Sequence, residues 1–151
     1  MSIFSSKDFY KITDSLERPL PEKLVHRDVI GKDNSEGDET FSKERQHLVK
    51  IVDLPSKTIS MTLGGLKPNE STRKHRHNYE TIIYIIKGQG MSVIGDKEVT
   101  WKVGDAIYVP VWVWHQHINK NATDDCMYVA CENAPLLQNI GEIALREEGD
   151  A

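Results

Sequence analysis

From Gln46 onward the chain divides into short β-prone pieces, each closed by turn residues, and this rhythm restricts it to a β-sandwich or barrel. His47 to Asp53 and Lys57 to Leu63 are strand candidates, and Gly64-Gly65-Leu66-Lys67-Pro68-Asn69 follows as a turn-rich connection. Thr81 to Ile86 is rich in β-branched residues and leads into a turn at Gly88-Gln89-Gly90. Met91 to Ile94, Gly95-Asp96 and Glu98 to Lys102 read as a tight hairpin. Val103-Gly104-Asp105 turns the chain into Ala106 to Pro110, and Met127 to Cys131 is the last strand.

The flanks have a different character. Phe9, Ile12 and Leu16 recur at helical spacing before Pro19 and Pro21, which predicts a short amphipathic helix and then an extended arm. That arm either packs on the core or exchanges between protomers. Residues 31–40 are polar, acidic and aperiodic, and are expected as a solvated loop; they lack the spacing of an EF-hand. A terminal helix is expected over 135–147, although its acidic end opposes the helix dipole. The organisation expected is therefore an arm and loop at 1–45, a β-barrel at 46–133 and a helix and tail at 134–151.

Composition removes several function classes. With 151 residues a single domain is the simplest reading, and the net charge of −4 comes without a basic stripe, which argues against nucleic-acid binding. The apolar run Ile82 to Ile86 is too short to span a bilayer, and the first residues carry no signal-peptide core, so a cytoplasmic protein away from membranes is expected. Cys126 and Cys131 lie five steps apart in a strand, roughly 16 Å, whereas a disulfide needs about 5.5 Å between Cα atoms. Two free thiols are expected.

The chemistry concentrates in His75-Arg76-His77 and His115-Gln116-His117, which hold four of the six histidines. Residues two apart in a strand face the same way, so each pair presents two imidazoles together, the ordinary way to hold a divalent first-row metal. His26 and His47 have no such context and are expected to be structural or at the surface. Trp101, Trp112 and Trp114 are expected to fill space, the last two on a face opposite His115, where a dimer contact could use them.

Residues 57 to 131 resemble the cupin superfamily. Its first motif is matched by Asn69, five residues, His75-Arg76-His77, three residues, Thr81, six residues and Gly88. Its second is matched by Gly104, five residues, Pro110-Val111-Trp112, two residues, His115, three residues and Asn119. Asn69 and Trp112 stand where the family has glycine, and Thr81 where it usually places a metal-binding glutamate. Glu80 is the adjacent carboxylate, but strand parity turns it outward while Tyr79, Thr81 and Ile83 follow the histidines inward; only a β-bulge would return it. The run Pro110 to His117 is also similar to gentisate and salicylate ring-cleaving dioxygenases, which are much longer bicupins.

The resemblance implies an all-β cupin, a double-stranded β-helix or jelly-roll barrel with short flanking helices; a homodimer is expected from pairing of the N-terminal arm and an outer sheet, since exposed sheet edges favour pairing. It implies His75, His77 and His115 as ligands of Fe(II), with Zn, Mn and Ni as alternatives. Three neutral imidazoles leave the metal's full charge and about three of six octahedral positions free, which suits an anionic, chelating substrate together with O2. His117, on the same face, is then a catalytic proton carrier, a fourth ligand or a hydrogen-bonded core group. The function implied is a non-haem Fe(II) dioxygenase acting on a chelating aromatic or enol-type anion; a non-oxidative isomerase, lyase or decarboxylase and a small-molecule-binding cupin remain as alternatives.

Overall fold

A computed structural model describes residues 20–31 and 38–150. The helix expected around Phe9, Ile12 and Leu16 lies outside them, as do residues 32–37 of the expected acidic loop. In chain order the elements are α1 (Asp38–Arg45), β1 (Leu48–Ile51), β2 (Ser60–Leu66), β3 (His75–His77), β4 (Thr81–Lys87), β5 (Gln89–Ile94), β6 (Lys97–Lys102), β7 (Ala106–Val109), β8 (His115–Ile118), β9 (Cys126–Glu132), α2 (Ala134–Asn139) and β10 (Arg146–Glu148). The strands form two five-stranded sheets, ordered β1-β2-β9-β4-β7 and β10-β3-β8-β5-β6. This is the all-β jelly-roll barrel expected.

Period-two alternation sets which side chains face the interior. Along β4, Thr81, Ile83 and Ile85 are buried and Ile82, Tyr84 and Ile86 are exposed. Its neighbour β9 buries Cys126, Tyr128 and Ala130 in the same manner. These residues join Leu66, Ile107, Val109 and Trp101 in one core cluster, and Trp101 comes from the opposite sheet. The hairpin closes as expected, with Ile94 opposite Lys97 across Gly95-Asp96.

Three boundaries differ from expectation, each for a visible reason. β2 does not stop at Leu63 but continues through Gly64 and Gly65 to Leu66, pairing Gly64 with Tyr128. A Cβ on Gly64 would stand 2.3 Å from the Tyr128 ring, so the glycine is a strand residue that makes room for an aromatic neighbour. At the N-terminal side, Asp38 opens a helix inside the stretch expected as loop. No apolar stripe announces α1; polar bonds to β1 hold it instead. Asp38 Oδ1 accepts from Ile51 N at 2.8 Å, and Ser42 Oγ both accepts from Val49 N and donates to Val49 O. Lys43 and Arg45 in its last turn complement the helix dipole.

The C-terminal helix is also shorter than 135–147. It ends at Asn139, no residue of it is buried, and Gly141 then takes φ 87°. Residues 146–148 become β10, which pairs with β3 so that Arg146 lies opposite His77 and Glu148 opposite His75. The acidic residues that opposed a helix dipole are used here in cross-strand ion pairs, Arg76 Nε to Glu147 Oε2 at 2.6 Å among them.

Both departures from the motif glycines occupy the backbone conformation that glycine would: Asn69 has φ 61° and Trp112 φ 60°. Asn takes this region at little cost. For Trp112 the strain is offset locally. Its N–H donates to His77 O at 2.7 Å, and the Arg76 guanidinium lies 4.4 Å from its ring and 4.6 Å from that of Trp114. Trp112 and Trp114 thus clamp an arginine on the outer side of β3.

Gly90 is a tight packing point within the second sheet, since a Cβ there would lie 2.3 Å from the Trp101 ring and 2.6 Å from the Ile118 carbonyl. Gly90→Ala is expected to destabilise the protein by about 1–3 kcal/mol through overpacking, read as a lower urea midpoint at unchanged slope.

Candidate metal centre

The two histidine pairs meet because β3 and β8 are antiparallel neighbours, with His75 directly opposite His115. All four imidazoles are buried. The His75 ring centroid lies 4.1 Å from that of His115 and 5.7 Å from that of His77, and His77 and His115 are 4.8 Å apart. One nitrogen from each of these three rings lies within 4.8 Å of the others.

Backbone carbonyls decide which nitrogens those are. His75 Nδ1 is 2.7 Å from Arg73 O, His77 Nδ1 2.8 Å from Tyr79 O, and His115 Nδ1 2.8 Å from Val113 O. A carbonyl oxygen can only accept, so each Nδ1 carries its proton and each Nε2 lone pair is left for the centre. Such an outer partner fixes both tautomer and ring orientation in metal sites. Burial lowers all three pKa values, His75 to about 4 and His115 to about 3, with His75 adding to the effect on His115. Three neutral, oriented imidazoles are a donor set that fits a divalent transition metal. His77 is held further by Tyr79, whose ring stacks on it at 4.1 Å and an interplanar angle of 2°.

The other site candidates separate cleanly. Glu80 points outward, is exposed, and accepts from the Tyr108 hydroxyl at 2.6 Å. Thr81, in the position of the family's glutamate, is buried in the cavity wall and donates to Glu132 Oε1 at 3.3 Å. His117 lines the same cavity, but its Nδ1 faces Ser92 Oγ at 2.7 Å instead of a carbonyl. Burial holds its pKa well below the ordinary value.

His47 departs from expectation. It is no surface residue: it lines the cavity, its Nδ1 donates to Arg45 O at 2.9 Å, and burial lowers its pKa. Its position just before β1 brings it in through tertiary contact, which no local spacing announces. Arg45, Glu132 and Arg146 also reach the cavity without having been anticipated. For Glu132 a signal existed, because it continues the inward parity of Cys126, Tyr128 and Ala130 along β9. Its burial raises the carboxyl pKa against the opposing pull of Thr81 and Arg45. The cavity measures about 120 Å³, near the ~150 Å³ that accepts a benzene ring.

A double sheet carrying three inward, carbonyl-tethered histidines in the wall of a small cavity defines a cupin-like barrel with a donor set that could hold a metal ion. Comparison with known proteins agrees: residues 63–131 match the cupin domain family, and the chain resembles gentisate and salicylate 1,2-dioxygenases. It is 32% identical over 84 residues to a 5-aminosalicylate 1,2-dioxygenase of Comamonas sp, a match covering 56% of this chain and 22% of that enzyme. A 5-nitrosalicylic acid 1,2-dioxygenase of Bradyrhizobium sp is 27% identical over 145 residues, covering 89% of this chain and 69% of the enzyme. The fold superposes on the salicylate 1,2-dioxygenase of Pseudaminobacter salicylatoxidans with TM-score 0.62 at 22% identity, over 72% of this chain and 32% of that one. The chain thus corresponds to about a fifth of the first of these relatives and about a third of the solved structure. No helix among the described residues is long and apolar enough to cross a membrane.

The lowered imidazole pKa values make stability pH-dependent in the metal-free protein. Unfolded histidines protonate near pH 6.5, whereas His75 and His115 resist protonation down to about 4 and about 3. Between those limits the unfolded state binds more protons, so stability is full above about pH 6.5 and falls as the pH is lowered toward 4. Thermal melts of chelator-treated protein across pH 4 to 7.5 are expected to show this decline, and bound Zn(II) to raise the melting temperature at neutral pH.

Proposed function

We propose that this protein is a non-haem Fe(II)-dependent dioxygenase of the three-histidine type, acting on an aromatic anion that chelates through adjacent oxygens. His75, His77 and His115 hold the metal, His117 is the catalytic hydrogen-bonding residue, and O2 is the co-substrate. The observation that carries this reading is the set of three Nε2 lone pairs, each oriented by its own carbonyl, with no carboxylate in the group. The substrates named for the similar enzymes, aminosalicylate, nitrosalicylate and gentisate, are all hydroxylated benzoates and support the choice of ring.

Iron(II) held by His75, His77 and His115 would supply the one-electron chemistry that lets dioxygen, otherwise spin-forbidden toward closed-shell organics, react with an electron-rich ring. The chain's own residues do the rest. Arg45 and Arg146 place positive charge at a cavity wall, which favours entry of an anion. Thr81, smaller than glutamate, leaves the metal's charge uncancelled and makes room beside it. Tyr79 keeps the His77 plane fixed. His117 holds a proton near the substrate's oxygens. Zn, Mn or Ni in the same three imidazoles would instead serve a non-oxidative lyase or isomerase.

The protein is further proposed to be a cytoplasmic homodimer. Both cysteines are free thiols, as a reducing compartment maintains them. Ile82, Tyr84, Ile86 and Tyr108 lie exposed on the outer face of one sheet, a patch suited to a second copy.

The decisive test is oxygen uptake by anaerobically purified, Fe(II)-reconstituted protein with gentisate, salicylate and 5-aminosalicylate, together with product absorbance. Stoichiometric O2 consumption with ring opening is expected for at least one of them. His115→Ala should lose bound metal and all turnover. His117→Gln should keep the metal while turnover falls by about 100-fold, as for loss of a positioned proton carrier. Substrate conversion by Zn-, Mn- or Ni-loaded protein without oxygen uptake would overturn the dioxygenase assignment.

A further inference from the structure

Four of the cavity histidines donate through Nδ1 to a backbone carbonyl two residues away, and His117 does not. The partners behind it run across three adjacent strands, β6, β5 and β8. Trp101 Nε1 donates to Ser92 Oγ at 2.9 Å, and Ser92 Oγ lies 2.7 Å from His117 Nδ1. All three side chains are buried, Ser92 completely. Gly90 makes the relay possible, since any Cβ there would occupy the space of the Trp101 ring that reaches over β5.

Proton counting gives the relay a direction. An indole N–H can only donate, so the Ser92 oxygen accepts from Trp101. The hydroxyl has one proton of its own, and the His117 Nδ1 lone pair is the acceptor placed to receive it. His117 Nδ1 is then unprotonated and the neutral ring carries its proton on Nε2. This is the opposite tautomer from His75, His77 and His115. An Nε2 that bears a proton has no lone pair for a metal, and by position too His117 falls outside the three-nitrogen group. What it offers instead, in a ring lining the cavity, is an N–H donor.

We infer that Trp101 and Ser92 are positioning residues that lock His117 as a hydrogen-bond donor into the cavity, reserved for an anionic oxygen of the substrate and closed to the metal. Of the three roles open to His117 from sequence alone, this favours the proton carrier: a proton-bearing group beside the metal, neither ligand nor core filler. The inference rests on the proposed three-histidine site, and it narrows the substrate class to ligands that keep a carboxylate or phenolate oxygen within reach of His117 while chelating.

Histidine side-chain nitrogen NMR on the full chain, metal-free and Zn(II)-loaded, tests it without iron or oxygen. In the wild type His117 should show a protonated Nε2 and a bare Nδ1, and His75, His77 and His115 the reverse. Zn(II) should shift the Nε2 signals of those three and leave that of His117. Ser92→Ala removes the donor and should move His117 toward the Nδ1-protonated form, Trp101→Phe removes the N–H that orients the Ser92 hydroxyl and should weaken the wild-type preference, and Ser92→Thr should keep it. Salicylate affinity for the Zn(II) protein should fall about tenfold in Ser92→Ala, the size of a lost charge-assisted hydrogen bond, with zinc stoichiometry unchanged. A wild-type His117 protonated on Nδ1, a Zn(II)-shifted His117 Nε2, or a tautomer indifferent to both substitutions would overturn the inference. If salicylate fails to bind the wild type while the tautomer pattern holds, it is the dioxygenase reading that fails.

Discussion

The carbonyls of Arg73, Tyr79 and Val113 are the constraint on which the rest of the site depends. Three imidazoles whose centroids lie 4.1 to 5.7 Å apart could not coexist as cations in a buried cluster. Each carbonyl accepts from an Nδ1–H and so sets which nitrogen bears the proton and the plane in which the opposite lone pair points, while burial keeps the ring neutral. The tethers span two residues, so they are local, and they survive as long as β3 and β8 keep their register. That register is in turn held from outside, by β10 on one edge and by β5 on the other.

The loops that deliver the strands show the same economy of means. Asn119 is fully buried, and its amide donates to Leu66 O, Lys67 O and Asp124 O while its carbonyl accepts from Asn121 N. One side chain thereby joins the end of β2, the loop after β8 and the entry to β9. Asn69, at φ 61°, donates its N–H to Asn121 O within the same corner. The motif residues that are not histidines act as joinery, and the two that replace glycine keep glycine's backbone geometry.

Strand alternation was the part legible in the sequence. It placed His75, His77 and His115 on one face, turned Glu80 outward and brought Thr81 inward, because a period of two depends only on neighbours along one strand. What escaped was set by contacts far apart in the chain. His47 and Arg45 reach the cavity through α1, which is fastened by Asp38 and Ser42 and not by an apolar stripe. Arg146 arrives on β10, a strand of charged residues whose pattern acquires meaning only against Arg76 and the histidines of β3. Gly64 and Gly65 read as turn residues because nothing local reveals the Tyr128 ring that requires the first of them.

A carboxylate does reach the cavity, one strand over from β4. Thr81 and Glu132 are register partners across β4 and β9, and the threonine hydroxyl donates to the Glu132 carboxyl. A glutamate at position 81 would extend from the histidine face into the group of three nitrogens, whereas one at 132 is held back by its bond to Thr81. Its burial raises its pKa, and Arg45 opposes that rise. The arrangement leaves the ligand set free of negative charge while keeping an acidic group within the same enclosure. Arginines paired with Glu148, a neutral trio of donors and a carboxyl tied to Thr81 thus share one small enclosure.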